Sequence, residues 1–198
     1  MDIVPPMELF QSIMEKDILT ARHSMHVAYL FKNSVSALGL KQNIQHAYIA
    51  GLFHDIGKIN APDVIFSGKT PLSPDEYNLV KKHPVDSFRI LTEANIPIHI
   101  CEIALLHHER EDGSGYPYGI RENCIPPEVK LITIVDSFCA IVERRAYRNP
   151  VSIQKAMELL CGCSEKYYSD MLNCFLNHII SIYKVALLEI ARDGILYK

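Results

Sequence analysis

Seven side chains in this sequence stand out as candidate metal ligands: His23, His54, Asp55, His83, His107, His108 and Asp136. Two of them are adjacent, in the run His54-Asp55-Ile56-Gly57-Lys58. Neighbouring residues do not share a helix face, because only positions three or four apart stack. His54 and Asp55 can therefore converge on one point only at a helix end, where the chain turns. Gly57 is expected to make that turn, since glycine accepts backbone angles that other residues resist. Taken singly, the pentapeptide also reads as a polar helix C-terminus, His107-His108 as a polar helix end, and His23 or His83 as a surface or hydrogen-bonded core histidine. Taken together they favour metal, because burying so many ionisable groups is costly unless something pairs them. Seven ligands exceed what one ion takes from protein while keeping open positions. Two divalent ions about 3.5–4 Å apart, bridged by a carboxylate and a hydroxide, would use them all. Asp55, beside a histidine and central in the set, is the expected bridge. The set has no thiolate, which suits iron or manganese at least as well as zinc, with nickel a further alternative.

The elements that must position these groups are helices. Phe10, Ile13 and Met14 mark a short first helix between Met7 and Asp17. Thr20 is expected to cap a second helix running to about Leu38 and ending at Gly39, with His23 in its first turn. Gln42 to Phe53 reads as a third helix, with Ile44, Ala47, Tyr48 and Leu52 on its apolar side, delivering His54-Asp55. Asn60 to Pro71 is expected to be loop. Ser73-Pro74-Asp75-Glu76 is a helix start: serine cap, proline at the first position, then acids. That helix should run to about His83, with Pro84 separating it from another through Leu91. Pro97 opens the helix that ends at His107-His108-Glu109. Glu111 to Pro127 is a long loop, and Glu128 to about Arg145 a long helix carrying Asp136. Ser152 to Leu160 and Asp170 to Arg192 complete the set. No segment reads as a strand, a repeat or a linker. The expected architecture is all-α, one helical bundle with long functional loops, a single catalytic domain over residues 1–198 with its core at about 20–160.

Composition narrows the classes. The 198 residues are 48% hydrophobic with a net charge of -3, which fits a globular chain and argues against a polymeric nucleic-acid partner. No apolar run reaches the roughly 20 residues of a membrane span, and no signal peptide opens the chain. The six cysteines show no paired framework, so the expected setting is the reducing cytoplasm.

The motif His54-Asp55-Ile56-Gly57-Lys58, then His83-Pro84, His107-His108-Glu109-Arg110 and Asp112-Gly113-Ser114-Gly115-Tyr116-Pro117, resembles the HD-GYP family. This is a branch of the HD-superfamily metal-dependent phosphohydrolases, whose members hydrolyse the bacterial second messenger cyclic di-GMP. The resemblance covers about Thr20 to Leu160 and implies an HD-domain helical bundle. All seven residues above match metal-ligand positions of the family. Lys58 matches the lysine that lies beside the scissile phosphate, and Arg145 and Arg148 match a basic pair that grips substrate phosphates. Two guanidiniums three residues apart near a helix end can share a face and offer bidentate contacts, although a solvated helix end would carry the same residues. Tyr116 is implied either to line the substrate groove or to meet a partner domain. The partner would be a sensor, a receiver or a GGDEF-domain protein. Three departures stand out. Leu19 replaces a glutamate that helps some members bind a third metal, so two metals are expected. Cys139 replaces an aspartate three residues after Asp136, which leaves local hydrogen bonding unaccounted for. His26 replaces an arginine.

The resemblance implies hydrolysis of cyclic di-GMP to pGpG, with slow onward cleavage to GMP. Two other readings stay open. One is a binding or interaction module that has lost turnover; the other is a hydrolase of a different cyclic dinucleotide or of a nucleoside phosphate.

Overall fold

The computed structural model describes residues 3–66, 73–121, 124–143 and 151–193, with side chains described as far as residue 182. Every regular element among these residues is helical. Helix α1 spans Met7–Lys16 and buries Phe10 and Ile13. Helix α2, Ile18–Ala37, starts earlier than expected. Its cap is the Asp17 carboxylate, which accepts the Thr20 backbone N–H at 2.8 Å and the Thr20 hydroxyl at 2.7 Å. Thr20 is thus inside the helix, held by the cap rather than forming it. Asn43 caps α3, Ile44–Phe53. This helix buries five consecutive residues from Ile49 to Phe53, while Ile44 stays 46% exposed. A helix covered on every side cannot show the one-sided stripe expected of it.

Two 3-10 turns follow, Ile56–Asn60 and Asp63–Phe66, the second inside the segment expected to be loop. Helix α4, Pro74–Val80, opens with the capping box that Ser73 and Glu76 predict. Helix α5 runs His83–Glu93 with Pro84 in its first turn. Pro84 was expected to separate two helices, yet it sits inside one. A first-turn N–H has no intrahelical partner, so a proline there sacrifices nothing. Helix α6 is Ile98–Leu106, α7 is Pro127–Val142, α8 is Ile153–Cys161 and α9 is Ser169–Asp193. Helix α7 was expected to reach Arg145; residues 144–150, with Arg145 and Arg148, lie outside the described residues.

Helix α2 is the axis of the assembly and packs on α1, α3 and α7. Phe31, Phe53, Leu131, Ile132, Ile134 and Phe175 are fully buried where these helices and α9 meet. The chain's beginning is tied to this body, because Gln45 donates from Nε2 to the Ile3 carbonyl at 2.7 Å. No helix among the described residues is long and apolar enough to cross a membrane.

Candidate metal centre

Five helices bring the seven candidate ligands to one place. His23 comes from the second turn of α2, and Asp136 from the middle of α7. His54 is the C-terminal cap of α3, and Asp55 opens the following 3-10 turn. His83 is the first residue of α5, and His107 and His108 follow the last turn of α6. Four of the seven therefore sit where a helix stops and the chain bends. Gly57 has a different reason than the one expected, since it does not occupy the left-handed region. A Cβ there would lie 2.1 Å from the His83 carbonyl oxygen and 2.6 Å from the Ser87 nitrogen. Glycine lets the 3-10 turn touch α5. The contact is then locked by Gly57 N–H donating to Ser87 Oγ at 2.8 Å and Ser87 Oγ donating to the His54 carbonyl at 2.9 Å.

The imidazoles are aimed by their own backbone. Nδ1 of His54, His83 and His107 lies 2.8, 2.6 and 2.7 Å from the carbonyl oxygens of Gly51, Val80 and Ala104. A carbonyl only accepts, so each Nδ1 carries a proton, and in the neutral ring Nε2 is then the atom with the lone pair. These lone pairs point at one another and at carboxylates. His83 Nε2 is 3.3 Å from His107 Nε2 and 3.0 Å from Asp55 Oδ1. His54 Nε2 is 3.4 Å from Asp55 Oδ2 and 3.8 Å from Asp136 Oδ1. His54 Nε2 and Asp55 Oδ1 are buried with no well-directed hydrogen bond.

At His107 and His108 protons do not relieve this crowding. Burial, and then the neighbouring His54 and His83, hold the His107 pKa down at about 3. Burial likewise pushes His108 well below its ordinary range, with His107 and His83 adding to it. Burial opposes ionisation of Asp55, but the Lys58 ammonium, 2.5 Å from Oδ2, and His54 outweigh it and keep the carboxyl well below the usual range. Burial is outweighed at Asp136 in the same way, chiefly by His23. Anionic oxygens and imidazole nitrogens converging in one buried cluster are a fit for divalent cations.

The ligand atoms fall into three overlapping sets, within each of which all lie within 4.8 Å of one another: Asp55, His83, His107 and His108; His23, His54 and Asp55; and His54, His107 and Asp136. Asp55 divides its oxygens between two sides. Oδ1 faces His83 and His107, while Oδ2 faces His54 and Lys58.

The loop beyond α6 walls this pocket. The Tyr116 ring packs on His108 at 4.6 Å between centroids and lies 6.4 Å from His83. Burial lifts its hydroxyl above the ordinary tyrosine range, so the phenol stays protonated. The loop is held from inside by Glu109, a fully buried carboxylate that accepts the backbone N–H groups of Tyr118 at 2.8 Å and Ile120 at 2.9 Å. Gly115 passes so close to the preceding strand of chain that a Cβ would lie 2.5 Å from the His108 carbonyl oxygen.

Two functional positions escaped the sequence reading. Glu109 was noticed only as part of a motif, and its role depends on where the loop folds back. Glu143, which bonds both His23 and His26, was not singled out. Its signal was present, for it follows Asp136 by seven residues, two turns along the same helix face. The structure pairs His26 with Glu143. Cys139 is buried in the core, and Leu19 is 41% exposed on the first turn of α2.

Residues 10–171 match the model of the HD domain family. The chain is 37% identical over 186 residues to a cyclic di-GMP phosphodiesterase of Thermotoga maritima, covering 90% of this chain and 50% of that protein. It is 35% identical over 163 residues to the 3'3'-cGAMP-specific phosphodiesterase 1 of Vibrio cholerae, covering 79% of this chain and 38% of that one. The chain thus spans half or less of the length of these curated relatives. Among solved structures, the HD domain of the Listeria monocytogenes phosphodiesterase PgpH in complex with cyclic-di-AMP superposes with a TM-score of 0.66 at 21% identity, over 93% of this chain and 100% of that one. Bd1817, an HDG"Y"P protein from Bdellovibrio bacteriovorus, also gives 0.66, at 20% identity over 80% of this chain and 52% of that one. These likenesses show the fold. With the family model matched over most of its length, and His54-Asp55 and the Asp112–Pro117 loop meeting at one pocket, the chain belongs to the HD-GYP branch of the HD domain family.

Proposed function

We propose that this chain is a metal-dependent phosphodiesterase that hydrolyses cyclic di-GMP to pGpG, with slow onward cleavage to GMP. The observation that carries the reading is the buried convergence of five imidazoles and two carboxylates with unsatisfied atoms at its centre. The likeness to a cyclic di-GMP phosphodiesterase at 37% identity supports the substrate. His83, His107, His108 and Asp55 Oδ1 would hold one divalent ion; His23, His54, Asp136 and Asp55 Oδ2 would hold the second. Imidazole and carboxylate donors suit iron or manganese first, then zinc or nickel. When bound, two such ions would supply Lewis-acid charge at the phosphodiester and lower the pKa of water there.

The chain's own residues do the rest. The Gly51, Val80 and Ala104 carbonyls keep Nδ1 protonated and Nε2 free on three ligands, so the site is set before anything binds. Lys58 sits at the pocket's edge with its side chain 21% exposed, where its ammonium can meet a phosphoryl oxygen as charge develops. Arg145 and Arg148, which follow α7, are the proposed clamp on the second phosphate. Tyr116 closes one wall and, staying protonated, donates a hydrogen bond rather than acting as a base. The loop Asp112–Pro117 is where a regulatory sensor, receiver or GGDEF-domain partner would meet the chain.

A second reading is hydrolysis of 3'3'-cGAMP, favoured by the 35% identity to the Vibrio cholerae enzyme of that specificity. The test is turnover by manganese- and iron-loaded protein on cyclic di-GMP, 3'3'-cGAMP and cyclic di-AMP in parallel. Cyclic di-GMP should be cleaved fastest, with pGpG accumulating. Faster cleavage of 3'3'-cGAMP would establish the second reading. Tight binding without turnover, in protein carrying two metals, would make the chain a binding module instead.

A further inference from the structure

Three of the buried imidazoles are oriented by carbonyls of their own chain, three residues back. His23 is held differently. Its Nε2 faces Asp136 Oδ1 at 2.8 Å, on the side of the ligand cluster, and its Nδ1 faces Glu143 Oε2 at 2.9 Å, on the side away from it. Asp136 lies in α7 and Glu143, seven residues on, caps its C-terminus; the two clasp the ring between them. The other oxygen of Glu143, Oε1, lies 2.8 Å from Nδ1 of His26, one turn along α2. The Glu143 carboxylate is 10% exposed and is therefore anchored rather than solvated.

The placement is not explained by helix stability. Glu143 caps the C-terminus of α7, where the helix dipole disfavours a negative charge. Imidazole donors from α2 hold it there, and they outweigh its burial to keep the carboxyl below its usual range.

We infer that Glu143 is a positioning residue for the metal ligand His23, fixing Nδ1–H so that Nε2 is the donor atom, with His26 in turn fixing Glu143. This rests on the metal-binding reading given above. A carboxylate behind a ligating histidine sets its tautomer and raises its basicity, and loss of such a partner costs about 10–100-fold in metal affinity. The effect is expected at one ion, because both partners of Glu143 lie on α2, whereas His83 and His107 are oriented by the Val80 and Ala104 carbonyls.

The experiment is a cobalt(II) titration of the chelator-treated full chain, read by the visible absorption of the bound ion and by metal analysis. Wild type should take up two equivalents. Glu143→Met, which keeps the stem but removes the acceptor, should keep one equivalent at wild-type affinity and bind the other about 10–100-fold more weakly. Glu143→Gln retains an acceptor oxygen and should stay within about tenfold of wild type on both. Helical circular dichroism and the metal-free unfolding midpoint are recorded first. Two equivalents at wild-type affinity in folded Glu143→Met would overturn the inference. So would loss of the second equivalent in folded Glu143→Gln, whether or not Glu143→Met folds. A wild type that binds no cobalt would remove the metal-binding reading itself, an outcome distinct from these.

Discussion

Asp55 carries the most responsibility of any single residue, because each of its oxygens faces a different group of imidazoles. Asp55→Ala should reduce metal content and hydrolysis together, by more than the about 10–100-fold that loss of an outer hydrogen bond costs. Two tightly held ions per chain in that variant would refute the shared-carboxylate assignment. His107 makes a prediction about pH. Its pKa in the fold, about 3, lies below the value near 6.5 of an unfolded histidine. Between these values the unfolded chain binds the extra proton, so protons favour unfolding. The metal-free protein should keep this contribution in full above pH 6.5 and lose it progressively as pH falls towards 3. Asp55 and Asp136, whose carboxyls are depressed, add losses only below about pH 4. Denaturant midpoints at pH 7.5 and 5.0 check this: wild type should drop, and His107→Gln should drop less. Equal drops would place the titration elsewhere.

At the scale of elements, two contacts decide whether the candidate ligands meet. The first is the approach of the 3-10 turn Ile56–Asn60 to α5. Gly57→Ala puts a methyl against the His83 carbonyl, so the turn and the first residue of α5 must separate. The expected cost is about 1–3 kcal/mol in stability, as for other overpacked sites, with weaker metal binding at His83. An unchanged denaturation midpoint would show that the backbone yields freely. The second contact is between Glu109 and the returning loop. Glu109→Ala leaves the Tyr118 and Ile120 N–H groups without their acceptor, and each hydrogen bond to a carboxylate is worth about 1.5–3 kcal/mol. Limited proteolysis should then cut between residues 112 and 121, where wild type resists. Were that loop to stay resistant, Tyr116 would owe its place on His108 to some other support.

For the whole molecule, five helices point buried donors at one volume, so ions bound there tie the bundle together. A ligand that binds only the folded state stabilises it by about 2.7 kcal/mol at a hundred times its dissociation constant. In a chain of this size that is about 5–10 °C in unfolding temperature per ion. Chelator treatment should lower the midpoint by that amount for each ion lost, and manganese should restore it in steps. A midpoint indifferent to chelator would mean the cluster is stable without a cation.

The sequence by itself determined where most helices lie and which side chains are candidate ligands. Helix periodicity and caps are local, so Ser73 with Glu76 and the run to His54 could be read directly. That His54 and Asp55 meet at a helix end followed from adjacency alone. Other features depended on approach between segments far apart in the chain. His23 is 113 residues from Asp136 and 120 from Glu143, and only the packing of α2 on α7 brings them together. The crowding at Gly57 comes from α5, and the role of Glu109 from a loop that folds back on it. Pro84 was read as a break because its missing N–H is a local fact, whereas its position in a helix's first turn is set by where His83 must stand. Spacing along the chain encodes which residues share a turn; which oxygen of Asp55 faces which histidine is decided by tertiary packing, because the directions of five separate helix axes enter it at once.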